Sequence, residues 1–247
     1  MTDSAAQDFP AEEPLGGNLV DVHGLSVSFM TDAGPIKAID DIDFTIPKGT
    51  IVGVVGESGS GKSVTARSII RLLPETATTA GAVYLKAGDE GLDVLTMGGD
   101  ELRRLRGGHA AMVFQEPNSV LNPVYTIGWQ IEEGLRAHVM KDKKERRAKA
   151  VEILEKVGIP DAATRIDHYP HQFSGGQTQR IVIAMALVLN PGLILADEPT
   201  TALDVTVQAE ILDLLRVARD EFGASVLIIT HNLGVVADLA DEVVVMY

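Results

Sequence analysis

The chain has 247 residues, enough for one large domain or two joined lobes, and its 45% hydrophobic and 23% charged residues are typical of a soluble globular protein. It contains no cysteine, which excludes disulfides and thiolate metal sites, and no apolar run approaches the roughly 20 residues of a membrane-spanning helix. A formal net charge of −14 argues against nonspecific binding to nucleic acid or to anionic lipid.

The first part of the chain predicts a leader followed by a sheet. Residues 1–18 are polar, acidic and rich in proline and glycine, which predicts disorder, and they lack the apolar core of a secretory signal. From residue 19 onward, short segments of alternating polarity predict a half-exposed antiparallel sheet. These segments are Val20–His23, Leu25–Phe29, Ile42–Ile46 and Ala82–Leu85.

A glycine-rich loop at 56–63 is the strongest single motif. It follows the apolar segment 51–55, which predicts a buried strand, and it precedes 64–73, which predicts a helix. Glycines let the backbone wrap around phosphates, the helix N-terminus attracts anions, Lys62 adds a positive charge and the Ser63 hydroxyl suits Mg²⁺. The predicted nucleotide contacts are Gly56, Glu57, Ser58, Gly59, Ser60, Gly61, Lys62, Ser63 and Val64.

The middle of the chain changes in character. Residues 117–125 are rich in proline and asparagine and predict a loop, whereas 126–157 predict helices. The charged run 141–147 admits two interpretations, a binding patch or a solvated helix face. The acids interleaved with its bases, as in the i,i+4 pair Lys141–Glu145, favour the solvated face.

Two further strands predict a parallel sheet. The apolar segments 193–196 and 225–229 flank an amphipathic helix at 207–222, a pattern typical of a parallel sheet covered on both faces. Asp197 and Glu198 follow the first strand, where the first acid can hold Mg²⁺ and the second can polarise an attacking water. Taken alone, the same pair is equally consistent with a plain strand end and a helix cap.

The segment Ser174–Gln177 precedes a predicted helix at 178–189. Small residues with free N–H groups at a helix start make a second anion site, comprising Ser174, Gly175, Gly176 and Gln177. The alternative, an ordinary helix N-cap by Ser174 followed by glycines, is favoured when the segment is taken alone.

These motifs occur in a characteristic order. The phosphate loop, Ser174–Gln177, the acidic strand end, Ala202-Leu203-Asp204 and His231 together resemble the ATP-binding-cassette (ABC) ATPases across residues 19–247. The resemblance implies an α/β fold with a phosphate-loop (RecA-like) parallel-sheet core, an N-terminal antiparallel β-subdomain and an inserted α-helical subdomain. The expected domain is 19–247, with 19–115 and 191–247 forming the core and β-subdomain and 116–190 forming the helical subdomain.

The resemblance also implies roles for single residues. Phe29 is expected to stack on adenine, Gln115 to join the Mg²⁺ and water site to the helical subdomain, His231 to contact the γ-phosphate, and Asp204 to meet a partner subunit. Without the resemblance, an aromatic, glutamine or histidine at these positions would more often be structural. ABC ATPases work as head-to-tail dimers, so ATP is expected to lie between one subunit's phosphate loop and the other's Ser174–Gln177.

A narrower resemblance points to the ATPase subunits of oligopeptide, dipeptide and nickel importers. Its stretches are the phosphate loop, 114–117, 121–123, 169–177 and 199–208. Two departures are Phe173, where leucine is commoner, and Thr178, where a longer and often basic residue is usual. This resemblance implies ATP and Mg²⁺ as cofactors and a second ABC ATPase, alike or related, as partner.

We therefore expect an ATPase that powers import of peptides or a related small solute. It would act peripherally at the cytoplasmic face of the membrane, through separate permease subunits and indirectly with an extracytoplasmic solute-binding protein, and without nucleic acid. One alternative is a soluble ABC ATPase acting in translation or DNA maintenance. Another is a phosphate-loop kinase or GTPase, in which Ser174–Gln177 and His231 would have no role.

Overall fold

The computed structural model describes residues 16–87, 90–138, 140–201 and 203–247. The predicted leader falls almost wholly outside the described residues, as does Ala202. The strands are β1 (Asn18–Thr31), β2 (Gly34–Pro47), β3 (Ile51–Gly56), β4 (Ala77–Ala87), β5 (Glu90–Asp93), β6 (Ala110–Val113), β7 (Leu193–Asp197), β8 (Ser225–Ile229) and β9 (Glu242–Met246). The helices are α1 (Lys62–Ile69), α2 (Gly99–Gly108), α3 (Pro117–Val120), α4 (Ile127–His138), α5 (Lys143–Lys156), α6 (Ala162–Arg165), α7 (Gly175–Leu187), α8 (Val205–Asp220) and α9 (Leu233–Leu239).

A five-stranded parallel sheet, in the order β6-β7-β8-β3-β9, forms the centre of the fold. Its inner strands are buried on both faces because successive side chains enter opposite cores. In β7, Ile194 packs into one hydrophobic core and Leu195 into the other. The sequence prediction of a parallel sheet covered on both sides is confirmed.

A four-stranded antiparallel sheet, in the order β2-β1-β4-β5, packs over one of these cores. Its first strand differs from the sequence prediction, since β1 runs unbroken where two short strands were predicted. Gly24 lies at the predicted break with φ +54°, and the pairing registers shift around it. The glycine therefore makes a bulge inside one strand and does not end it.

The helices predicted within 126–157 are α4 and α5, which pack against α7 in the second core. The suggested Lys141–Glu145 pair is absent from the ion pairs of the described residues, because α5 begins at Lys143, after its N-cap Asp142. The acid Glu152 pairs instead with Lys149 and Lys156. Among the described residues, no helix combines the length and apolarity needed to cross a membrane.

Candidate active site

The glycine-rich loop joins the end of β3 to the start of α1, as the sequence predicts. The Lys62 ammonium donates to the carbonyl oxygens of Gly56 at 3.0 Å and Glu57 at 2.6 Å, so its charge lies inside the curl of the loop. Gly61 caps α1 with φ 90°, a conformation that favours glycine. The loop therefore carries its cation and the helix N-terminus at the same place.

Close contacts explain why the loop must begin with glycine. A Cβ on Gly56 would lie 2.1 Å from the carbonyl oxygen of Met246, at the end of β9. Glu57, Ser58 and Gly59 form the exposed tip of the loop.

Two other side chains of this segment face inward. The Ser60 hydroxyl is buried and has no hydrogen-bond partner among the described residues. Val64, in the first turn of α1, packs partly buried against the core under the antiparallel sheet.

Asp197 closes the site from the end of β7. Its side chain is 2% exposed, and it accepts a hydrogen bond from the Ser63 hydroxyl at 2.7 Å. The Arg67 guanidinium lies 3.6 Å from its other oxygen. Arg67 follows Ser63 by one helical turn, so both face the same carboxylate.

Ser63 and Asp197 fit a Mg²⁺ ion. The pair offers hard oxygen donors that already lie within hydrogen-bond distance of each other, beside the phosphate loop. Among the described residues no group of three or more His, Cys, Asp or Glu side chains is arranged to hold a metal. Mg²⁺ usually binds one or two protein oxygens and completes its coordination shell with phosphate oxygens and water, so the Ser63–Asp197 pair is sufficient.

Glu198 is the centre of a second cluster. Its Oε2 accepts from Thr201 Oγ1 at 2.7 Å and from Gln115 Nε2 at 3.3 Å, and its Oε1 lies 3.3 Å from His231 Nδ1. The backbone of Glu198 has φ 48°, a conformation that is rare outside glycine. The structure thus brings together three residues that the sequence analysis selected from distant segments.

The segment Ser174–Gln177 forms the N-terminal cap of α7. The Ser174 hydroxyl accepts from the Gln177 N–H at 3.4 Å, and Gln177 Oε1 accepts from the Ser174 N–H at 3.3 Å. The two glycines differ, because a Cβ on Gly175 would meet nothing within 4 Å whereas one on Gly176 would lie 2.6 Å from Val207. One glycine is thus open to a ligand and the other is needed for helix packing.

The structure does not bring every candidate into one cluster. No hydrogen bond or ion pair of the described residues joins the α7 cap to the phosphate loop. Phe29 lies half buried on β1, opposite Ile36 and Ala77, and its role toward adenine stays a prediction. Asp204 caps α8 by accepting from the Val207 N–H at 3.0 Å, so the role of Asp204 at a subunit contact also stays a prediction.

Sequence reasoning missed three residues that contact these clusters. Arg67 had a usable signal in its i,i+4 spacing from Ser63. Thr201 lies in the stretch 199–208 that resembles the importer ATPases, but that resemblance was not used to assign it a role. Arg165, at the end of α6, donates to Gln177 Oε1 at 3.1 Å, a contact made only through the tertiary fold.

Comparison with known protein families places this geometry in context. The model of the ABC transporter family matches residues 39–201. The "Putative peptide import ATP-binding protein" of Brucella abortus (strain 2308) is 52% identical over 229 residues, covering 93% of this chain and 68% of that protein. A protein of the same description from Brucella melitensis is 51% identical over 232 residues, covering 93% of this chain and 69% of that protein.

Solved structures show the same architecture. The dimeric structure of the ATP-binding cassette MJ0796, in a post-hydrolysis state bound to ADP and Pi, superposes with a TM-score of 0.79 at 31% identity and covers 92% of this chain and 94% of that chain. CbiO1 from Clostridium perfringens, part of the ABC transporter complex cbiONQ, gives a TM-score of 0.76 at 26% identity, covering 93% and 85% of the two chains. These likenesses confirm the predicted fold class.

Proposed function

Because this chain belongs to the ABC transporter family, as an ATP-binding ATPase, we propose that it powers import of peptides or a related small solute through separate membrane permeases. The observation that carries the proposal is the Glu198 cluster at the end of β7, next to the Ser63–Asp197 pair. Relatives described as peptide import ATP-binding proteins, about half identical over nearly the whole chain, favour a peptide as the solute.

The phosphate loop binds the nucleotide. Lys62 exchanges its bonds to the loop carbonyls for bonds to the phosphates, and the N–H groups at the start of α1 hold the same anion. Ser63 and Asp197, together with Gln115 on the side of the helical segment, would hold Mg²⁺. When bound, the ion would supply positive charge to the phosphate oxygens.

Glu198 acts on the attacking water. The Gln115 amide and the Thr201 hydroxyl both donate to one carboxylate oxygen and fix the orientation of the group. The other oxygen, which lies 3.3 Å from His231 Nδ1, polarises the water and accepts its proton. His231, whose side chain is 68% exposed, is free to contact the γ-phosphate while it keeps its position beside Glu198.

The site is completed by a second ATPase subunit. The open cap at Ser174 and Gly175 has no bond to the chain's own phosphate loop in the described residues, so we assign it to the ATP of a partner. Val205 and Leu233 are 82% and 68% exposed beside Asp204 and His231, an apolar surface suited to a subunit contact. The dimeric form of the related cassette MJ0796 supports this arrangement.

The permeases dock on the helical segment. Val124, Tyr125 and Trp129 are exposed, and the two rings stack with centroids 4.0 Å apart. Such an exposed apolar cluster is typical of a protein contact. We propose that this cluster binds permease at the cytoplasmic membrane face, with a solute-binding protein outside, and that 116–190 acts as one helical subdomain between the core segments 19–115 and 191–247.

The Glu198→Gln variant tests the catalytic assignment. It keeps the shape of the side chain and removes the base, so hydrolysis is expected to fall by about 10²-fold or more while ATP binding is kept. ATP should then trap a dimer, measured by light scattering. Glu221→Gln, at the exposed end of α8, is the matched control and should hydrolyse ATP like the parent. Parent-rate hydrolysis by Glu198→Gln would refute the assignment.

The parent protein offers a second check on the dimer. Its rate per chain should rise with protein concentration, because productive sites need two subunits. A rate independent of concentration in a proven monomer contradicts the shared site.

A further inference from the structure

We propose that Arg165 is a positioning residue for the cap segment 174–177, holding it in the form that closes on the ATP of a partner subunit. The inference rests on the shared-site dimer proposed above. It adds a residue from outside the motifs, at the end of α6.

Arg165 contacts the cap segment at Gln177 and also contacts Phe173, the residue just before the segment. Its Nη2 donates to Gln177 Oε1 at 3.1 Å, and its guanidinium carbon lies 4.4 Å from the centroid of the Phe173 ring. Phe173 immediately precedes Ser174, and Gln177 ends the segment. One planar side chain therefore spans the length of the cap.

The hydrogen bonds fix the amide of Gln177. Its Oε1 accepts from both the Arg165 guanidinium and the Ser174 N–H, so two donors occupy the two lone pairs of that oxygen. Since guanidinium can only donate, the oxygen must face Arg165 and the Nε2 group must face away. Loss of Arg165 would free the amide to turn and would loosen the reciprocal bond that holds the Ser174 hydroxyl.

The charge of Arg165 is also informative. A cation beside a helix N-terminus opposes the positive end of the helix dipole and is unfavourable by itself. No carboxylate of the described residues lies within ion-pair distance of Arg165 to compensate. The arrangement is favourable once an anion such as a nucleotide phosphate approaches the cap.

Thr178 does not supply this charge. It stands where the importer ATPases commonly carry a longer, often basic residue, but here it is buried and its hydroxyl donates back to the Ser174 carbonyl at 3.0 Å. Arg165 instead places a cation beside the cap, reaching it from another helix.

The test separates positioning from simple structural support. Arg165→Ala and Arg165→Lys are made in the Glu198→Gln protein. The first measurement is the affinity of the monomer for a fluorescent ATP analogue. The second is the ATP-dependent monomer–dimer equilibrium, measured by analytical ultracentrifugation. We expect unchanged monomer affinity, because the phosphate loop is untouched. Dimerisation should weaken by about tenfold or more in Arg165→Ala, the scale of a lost charge-assisted hydrogen bond, and by less in Arg165→Lys.

The matched control is Lys156→Ala, which also removes a cation from an aromatic ring, that of Phe222 at 4.7 Å. It should leave both quantities unchanged. If the Glu198→Gln parent itself fails to dimerise with ATP, the shared-site dimer and this inference both fall. If the Glu198→Gln parent dimerises and both Arg165 variants dimerise as well as that parent, only the inference about Arg165 is refuted. The same holds if the nucleotide affinity of the monomer falls together with dimerisation. If Arg165→Ala does not fold, the test relies on Arg165→Lys.

Discussion

At the scale of single residues, the proposed hydrolysis depends on how Glu198 is held. The side chain sits on a backbone with φ 48° and receives hydrogen bonds from Thr201 and Gln115 on the same oxygen. The Thr201 contact, at 2.7 Å, is the shorter of the two. A carboxylate with one oxygen engaged in this way presents the other in a defined direction.

Thr201→Val should therefore slow hydrolysis without weakening ATP binding. Valine keeps the shape of threonine and removes the donor to Glu198, so the carboxylate loses one of its two orienting bonds. We expect the rate constant for hydrolysis to fall by about tenfold, the scale of one hydrogen bond to a charged group. Single-turnover kinetics and nucleotide titrations measure the two effects separately.

Thr201→Ser is the control, because it keeps the hydroxyl and should keep most of the rate. Equal rates in Thr201→Val and the parent would show that Thr201 does not orient Glu198. An equal loss in the valine and serine variants would point to the methyl group and its packing, and would contradict the hydrogen-bond role.

The residue scale also shows what sequence can predict about the site. Asp197 and Glu198 could be predicted from the sequence because ligands commonly bind at the carboxyl ends of parallel strands. Lys62 and Ser63 could be predicted from their spacing within the phosphate-loop motif. The role of Arg165 could not be predicted from the sequence. Its contact with Gln177 joins two helices, and sequence periodicity does not reveal how two helices are placed relative to each other.

At the scale of elements, the start of α7 serves two purposes at adjacent positions. Gly175 faces open space, and Gly176 lets α7 approach α8 at Val207. The pair therefore separates ligand access from helix packing within one turn.

The two glycines should respond differently to alanine. Gly176→Ala places a Cβ 2.6 Å from a stiff β-branched side chain, so we expect the free energy of unfolding to fall by about 1–3 kcal/mol. Gly175→Ala has room, so its stability should stay within about 0.5 kcal/mol of the parent while ATP-dependent dimerisation weakens. Urea unfolding and light scattering check the two results.

The variants act as controls for each other. A stable Gly176→Ala would contradict the packing role, and a Gly175→Ala protein that dimerises like the parent would contradict the ligand role.

Elements were predicted well where periodicity is strong. The two-faced burial of β7 and β8 followed from continuous apolar runs, and both strands start where predicted. By contrast, β5 and α2 went unpredicted, because β5 is short and α2 has few apolar positions. The bulge at Gly24 was taken for a strand break, since a glycine between two alternating segments has the same pattern in either case.

At the scale of the whole molecule, the proposed function needs two separate contact surfaces. In this proposal one surface, around Ser174, Asp204 and His231, faces a second ATPase and changes with the nucleotide. The other, at Val124, Tyr125 and Trp129, lies on the helical segment. Gln115 leads from the Glu198 cluster into that segment, so loss of the γ-phosphate can alter both surfaces.

Trp129→Ala should uncouple the ATPase from its permease and leave the isolated ATPase intact. Trp129 is 38% exposed and its ring stacks on Tyr125, so its loss removes an aromatic anchor of the proposed interface. We expect co-purification with permease subunits to fall by about tenfold or more, with ATP hydrolysis by the isolated protein unchanged. Met30→Ala, which removes a more exposed apolar side chain from β1 in the antiparallel sheet, is the control and should affect neither. Full permease binding by Trp129→Ala would show that the docking surface lies elsewhere, whereas a loss in both variants would indicate a general effect of surface polarity.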